Sequence, residues 1–460
     1  MPHFSKRMIP WGLALLTLTW TLAGCRGTAD PAPACHAGAY ELDSGQHLAI
    51  TPSDDDTLRY RMFEGPSGRL YPDGGVRYVS GDGWSVQEPV TTIVTFDDCE
   101  TGGLQFQSGD GAAVAGHRLA LQERRHRFRG RDVELAGKLV LPPGAVRAVV
   151  VLAHGSEKLA ATELYAWQYL LPPQGIGVFV FDKRGTGSSG GEYTQDFDVL
   201  ADDIAAAVRE VRQLLAPEHP PLGLLSGSQG GWVAPLAATR AKVDFVIAAY
   251  GMAESPLAED REEVLASLVR AGYGDEVLAK ARELTAATGA VMVARFDGGF
   301  EELDRVKRMY GDEPWIKDIE GEFTHDLLKY PSWLLRIVGP WFDVGTPWSY
   351  DPLPVLEAVE VPMLWIIGGK DTEAPPGRTL AILEAMQPRP GQLDIAIFPD
   401  AEHGIITVTG EGDDRRLLGH ADGYWALQAH WILERDLNGA FGRAVLLPDR
   451  EAMQMDAVVD

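Results

Sequence analysis

The chain has 460 residues, in which 41 lysines and arginines face 66 aspartates and glutamates, for a formal net charge of −25 and a pI near 4.8. That length exceeds what one ordinary core organises. The acidic balance speaks against nucleic acid and anionic surfaces as partners.

Residues 1–24 read as a signal peptide. Lys6 and Arg7 precede an apolar run over residues 8–22 that is short for a membrane span and ends in small residues. Leu22-Ala23-Gly24-Cys25 resembles the bacterial lipoprotein processing box. The resemblance implies lipid on Cys25 and anchorage to a membrane surface, on the periplasmic or outer side. An ordinary signal peptide with a coincidental cysteine is the alternative. Residues 25–34, rich in Gly, Pro and Ala, form a tether. With Cys25 lipidated, Cys35 and Cys99 are an even pair in an oxidising compartment, which favours a disulfide over two unpaired thiols.

Residues 35–128 hold short apolar pieces (48–51, 58–61, 76–79, 94–96) separated by turn residues, with Asp73-Gly74 and Asp82-Gly83 as hairpin turns. No helix-period run interrupts them. A small all-β domain, sandwich or barrel, is expected, with Tyr60, Tyr71, Tyr78 and Trp84 as packing residues.

From residue 129 the pattern changes. A strand at 132–141 leads to the continuous apolar runs 148–153, 178–181, 222–225 and 245–248, which alternate with helical stretches at 162–171, 197–215 and after residue 228. Apolar runs of this kind are buried on both faces of a parallel sheet, so a doubly wound α/β domain is expected. Its first part spans 129–251 and its second 346–440, with strands at 362–367 and 393–397 and a closing helix at 423–437. Residues 252–345 break the alternation and read as a helical lid. Trp333, Trp341, Phe342 and Trp348 are candidates there for lid core or for lining a pocket. Residues 441–460 read as a tail.

Ser226-Gly227-Ser228-Gln229-Gly230-Gly231 directly follows the run 222–225. It reads as a strand that turns sharply into a helix with Ser228 at the tip, flanked by residues without bulk. The usual pattern is G-x-S-x-G, and Ser226 takes the first glycine's place. A serine hydroxyl is a weak nucleophile at neutral pH. It needs a base within hydrogen-bond reach, and the base needs a group that holds its tautomer. Two sites beyond predicted strands supply them, Gly368-Gly369-Lys370-Asp371 and Glu402-His403-Gly404. Open α/β sheets gather working residues at the carboxyl ends of their strands. Asp351 and Glu373 are rival acids; His325, His420 and His430 read as surface or packing residues.

With His154-Gly155-Ser156, Asp182 to Ser188, Ser228 to Trp232, Val361-Pro362, Gly368 to Asp371 and Glu402 to Gly404 in this order, residues 129–440 resemble the α/β-hydrolases. They are similar to the secreted branch holding dienelactone-hydrolase-like and prolyl-oligopeptidase-like members. The resemblance implies Ser228 as nucleophile, His403 as base and Asp371 as its orienting acid. It implies an oxyanion hole from the backbone N–H groups of Gln229 and Ser156, with His154, Gly155 and Arg184 supporting the loops. The expected activity is hydrolysis of small or medium carboxylic esters through an acyl-enzyme. Peptidase or amidase action, and a non-catalytic membrane-tethered binding protein, are the alternatives. No nucleotide loop, cofactor fingerprint or metal-ligand spacing stands in the sequence, so no cofactor and no metal is expected.

Overall fold

Strands that are too short and too polar to hold a sheet alone close on themselves in the first part of the chain. The computed structural model describes residues 32–386, 393–410 and 414–447. Cys25, the signal segment and the last residues lie outside them. Eight antiparallel strands, from Gly38–Leu42 to Val114–Arg118, form a closed barrel in which the first pairs with the last, Tyr40 opposite Arg118. Closure leaves no unpaired strand edge. Its inward residues include Tyr40, Leu48, Ile50, Leu58, Tyr60 and Phe96, all buried. Trp84 is buried too, beneath the guanidinium of Arg59 at 4.0 Å, and its backbone N–H donates to the carbonyl of Leu417, a residue of the 416–419 segment that belongs to this compact unit. A disulfide joins Cys35 and Cys99 across 64 residues. His36 brings a third donor atom within 4.8 Å of their sulfurs, which are already bonded to each other.

The second unit begins at residue 120, not 129. Gln122–Arg129 pairs antiparallel with Glu134–Leu141 and ends a nine-stranded sheet. Only Phe128 of that strand is buried, so its sequence carries none of the apolar alternation that would announce it. The sheet runs Val445–Leu447, Leu393–Phe398, Met363–Gly368, Phe245–Ala249, Leu222–Gly227, Ala148–Ala153, Ile176–Phe181, Glu134–Leu141, Gln122–Arg129. The six strands from Leu393–Phe398 to Ile176–Phe181 are parallel. Every residue of Ala148–Ala153 and Ile176–Phe181 is buried, because helices cover both faces. Val445–Leu447 is an antiparallel edge strand within the stretch expected to be tail; three residues are too few to show a period.

The chain leaves Ala148–Ala153 for Ile176–Phe181 on one side and returns to Leu222–Gly227 on the other. This reversal opens a crevice beyond the carboxyl ends of Ala148–Ala153 and Leu222–Gly227. The helix expected over 162–171 is two short pieces, Ala161–Leu164 and Trp167–Leu170. Tyr165 between them is extended and packs edge-on against His154, ring centroids 5.4 Å apart.

Residues 252–345 carry the helices Pro256–Arg270, Asp275–Val293, Phe300–Tyr310, Thr324–Lys329 and Ser332–Val338 around a core of their own that includes Leu268, Leu284, Leu303 and Trp315. Buried Asp260 ties the first of these helices to the fourth. Its carboxylate accepts the N–H groups of Phe323 and Thr324 and the Thr324 hydroxyl. Of the four aromatic candidates, Trp348 packs on Phe323 in this core, whereas Trp333 and Trp341 are 64% and 74% exposed and Phe342 is exposed beside them. Those three are not part of the buried lid core. No helix among the described residues is long and apolar enough to cross a membrane.

Candidate active site

Ser228 sits between the strand Leu222–Gly227 and the helix Gly230–Ala238 with φ 53°, a left-handed conformation that costs a non-glycine residue on the order of 1–3 kcal/mol. Its neighbours explain why the turn tolerates it. The Ser228 N–H donates to Ala249 (3.0 Å) and its carbonyl accepts from Gly231 (2.7 Å). A Cβ on Gly230 would lie 2.5 Å from the carbonyl oxygen of Ala153, and one on Gly227 would lie 2.2 Å from the Tyr250 hydroxyl. Ser226 fits where the usual pattern has glycine because its hydroxyl donates to the carbonyl of Ile247 at 2.8 Å. Pro235 lies inside the helix that follows.

Asp371 and His403 come from the loops after Met363–Gly368 and Leu393–Phe398, the second and third strands along the sheet from Leu222–Gly227. His403 Nδ1 is 2.9 Å from Asp371 Oδ2. A carboxylate only accepts, so Nδ1 carries the proton and Nε2 points the other way. The second oxygen of buried Asp371 accepts the N–H groups of Glu373 (3.0 Å) and Ala374 (2.8 Å), which fixes the carboxylate. Glu373 Oε2 stands 3.9 Å from His403 Nε2. Burial alone would lower the His403 pKa. The charges of Asp371 and Glu373, the Asp371 hydrogen bond and the more distant Glu259 overcome it and raise the value to about 9. Asp351, the other rival acid, is spent on the N–H of Leu353.

Tyr250 connects the two halves. Its ring meets the His403 ring edge-on at 5.0 Å, and its hydroxyl lies against Gly227, next to Ser228. Among the described residues the Ser228 hydroxyl makes no hydrogen bond to His403. Such contacts often tighten only when substrate binds.

On the other side of the crevice, a Cβ on Gly155 would fall 3.3 Å from Ser228 Cβ. The Gly155 carbonyl accepts from Lys183 Nζ (2.5 Å), and the Ser156 carbonyl accepts from the Tyr193 hydroxyl. Among the described residues, neither the Ser156 nor the Gln229 backbone N–H has a protein acceptor. His154 is buried with Nε2 2.5 Å from the carbonyl of Phe181. Burial and the Lys183 charge depress its pKa to about 3, so the ring is neutral and donates to that carbonyl. Arg184 stands back from the crevice. Its Nε and Nη2 each reach one oxygen of buried Asp203 at 2.8 Å, and Nη2 also donates to the carbonyl of Arg131.

Tyr250, Lys183, Tyr193 and Glu157 also face this site, and sequence reasoning gave them no role. Burial raises Tyr193 to about 12 and Tyr250 well above the usual tyrosine value, with Glu157 adding to both. Burial lowers Lys183 to about 8 against the opposing pull of Glu157. Tyr250 follows directly on the buried strand Phe245–Ala249, the same context that marks Ser228, Asp371 and His403.

Residues 144–408 match the family model described as Serine aminopeptidase, S33 (Hydrolase_4). Among solved structures, the chain is similar to the Pyrococcus furiosus esterase Pf2001, with 20% identity over 62% of this chain and 85% of that one, at a TM-score of 0.38. It is similar to a Pyrococcus horikoshii acylaminoacyl peptidase, with 18% identity over 78% of this chain and 52% of that one, at a TM-score of 0.38. It is also similar to a thermophilic esterase from Thermogutta terrifontis, with 20% identity over 61% and 91%, at a TM-score of 0.34. No curated protein matches the chain.

Proposed function

The chain belongs to the Hydrolase_4 family of serine hydrolases with the α/β-hydrolase fold, and from that premise we propose that it cleaves carboxylic esters of small or medium size through an acyl-enzyme on Ser228. The observation that carries this reading is the 2.9 Å bond between His403 and buried Asp371 beside the strained Ser228 turn. Ser228 Oγ attacks the ester carbonyl while His403 Nε2 accepts its proton. The tetrahedral oxyanion lies between the N–H groups of Gln229 and Ser156. Removing one such donor typically costs about 10²–10³ in rate. His403 then hands its proton to the departing alcohol. Water, deprotonated by the same imidazole, releases the acid and restores Ser228. Asp371 holds the tautomer and offsets the charge that forms on the ring. His154 and Gly155 shape the oxyanion loop, and Arg184 braces the loop beside it.

The decisive experiment is Ser228→Ala assayed on a p-nitrophenyl acyl ester. A folded variant that keeps most of its turnover rejects the reading.

A second reading, aminopeptidase or amidase action, is favoured by Glu373 and Glu259, whose carboxylates act on His403 and suit a substrate that carries a free ammonium group. A panel of neutral esters against aminoacyl amides separates the two. For the whole chain we propose export and a lipid anchor on Cys25, a reading that rests on the sequence of residues 1–25 alone.

A further inference from the structure

The loop Asp371-Thr372-Glu373 straddles the imidazole of His403. Asp371 bonds Nδ1 at 2.9 Å, and Glu373 presents Oε2 3.9 Å from Nε2 on the far side. The two carboxylates are not independently placed. Asp371 Oδ1 accepts the Glu373 N–H, so the residue that orients the ring also fixes the backbone of the second acid. Thr372 between them donates to Glu402, the residue before His403, at 2.8 Å. The strap and the histidine loop are therefore pinned to each other at three consecutive residues. The remaining groups that face the ring are Tyr250, which is edge-on and neutral, and Glu259 from the helix Pro256–Arg270, which acts from farther away.

We infer that Glu373 is a positioning residue that holds the protonated His403 by its Nε2 side in the resting enzyme, and that the ring must give up this partner to accept the Ser228 proton. The inference rests on His403 being the base of the proposed reaction. Nε2 is the nitrogen that must take that proton, and it is the one paired with Glu373. The contact is longer than a hydrogen bond and Glu373 is 44% exposed on its side chain, so the hold is modest and reversible. A carboxylate there favours the charged ring and disfavours the neutral one that catalysis needs. Glu373 thereby restrains turnover near neutrality and releases it as the solution becomes alkaline.

The test is Glu373→Gln in the full chain, read in two ways. Imidazole NMR gives the midpoint of the His403 titration without any turnover, and kcat/KM on a neutral ester is followed from pH 6 to 10. A neutral ester keeps attraction between Glu373 and a charged substrate out of the measurement. The midpoint and the acid limb are expected to fall together by about half a unit, which is about threefold more neutral imidazole and about threefold higher kcat/KM at pH 7. Glu373→Asp, which restores the charge, should return both toward the parent. An unmoved midpoint overturns the inference, as does an E373Q rate reduced by one factor at every pH. Failure of the parent to label at Ser228 with a fluorophosphonate would reject the hydrolytic role of the site, while the titration would still decide whether Glu373 governs His403.

Discussion

Tyr250 packs edge-on against His403 at 5.0 Å while its hydroxyl fills the space above Gly227, so one side chain abuts both His403 and the turn that carries Ser228. Tyr250 itself has φ 43°, a left-handed conformation rare for a bulky residue. Two left-handed positions, Ser228 and Tyr250, thus follow directly on the ends of adjacent strands.

Gly227→Ala tests that arrangement. The new methyl would lie 2.2 Å from the Tyr250 hydroxyl, closer than any real contact, so the tyrosine or the turn must move. Overpacking of this kind costs about 1–3 kcal/mol. Ester turnover should fall at least tenfold, and Tyr250→Phe combined with Gly227→Ala should recover part of it. A single variant with parental kcat/KM and melting temperature would show that the tyrosine is not held there.

Ser228→Ala should lose turnover by roughly 10³-fold or more and lose fluorophosphonate labelling while keeping the parental circular dichroism. His403→Ala should lose labelling as well, because an unactivated hydroxyl does not react.

The rate should climb with pH well past the range of an ordinary histidine. Only the neutral ring accepts a proton, and the folded-state pKa is about 9 against 6.5 for an ordinary histidine. Between those values kcat/KM should rise about tenfold per pH unit and bend near pH 9. Stability should run the other way. The ring's pKa is raised by folding, so its contribution is complete below pH 6.5 and is lost as pH climbs through 9. The parental melting temperature should fall across that window more steeply than that of His403→Ala. A rate profile that levels near pH 6.5 contradicts the acidic setting of the ring.

Arg184→Ala should act through stability. It would leave Asp203 buried without its bidentate partner, a loss of about 3–5 kcal/mol for a buried pair. The melting temperature should drop by several degrees, with KM for the ester little changed in the fraction that remains folded. A variant with normal stability and a raised KM would place Arg184 at the substrate instead.

Much of this site is legible in the sequence because its members follow buried strands. Continuous apolar runs such as residues 148–153 and 362–367 announce parallel strands, and polar residues just beyond them fall at one end of the sheet. What was hidden depends on pairings distant in sequence. The Tyr40–Arg118 register that closes the barrel has no local signature, so sandwich and barrel read alike. Residues up to 128 read as part of the first, all-β domain, because Gln122–Arg129, at a sheet edge, needs no apolar alternation to announce it as a strand of the second unit. Trp333, Trp341 and Phe342 read as lid core or as pocket lining yet are exposed, since an aromatic residue does not declare which side of a helix is covered. Glu373 was visible only as a rival to Asp371, whereas the fold gives the two acids opposite nitrogens of one ring.

The outermost strand of the large sheet has one more consequence. Gln122–Arg129 presents Arg124, Arg125, Arg127 and Arg129 along a rim whose backbone groups have no further strand beside them among the described residues. Arg125, Arg127 and Arg129 share one face of the strand and Arg124 lies on the other, and Arg125 and Arg127 are paired with Glu163 and Glu134. Pairing a further strand here would press these hydrated ion pairs out of water, so the rim disfavours continuation of the sheet where hydrophobic residues would have invited it.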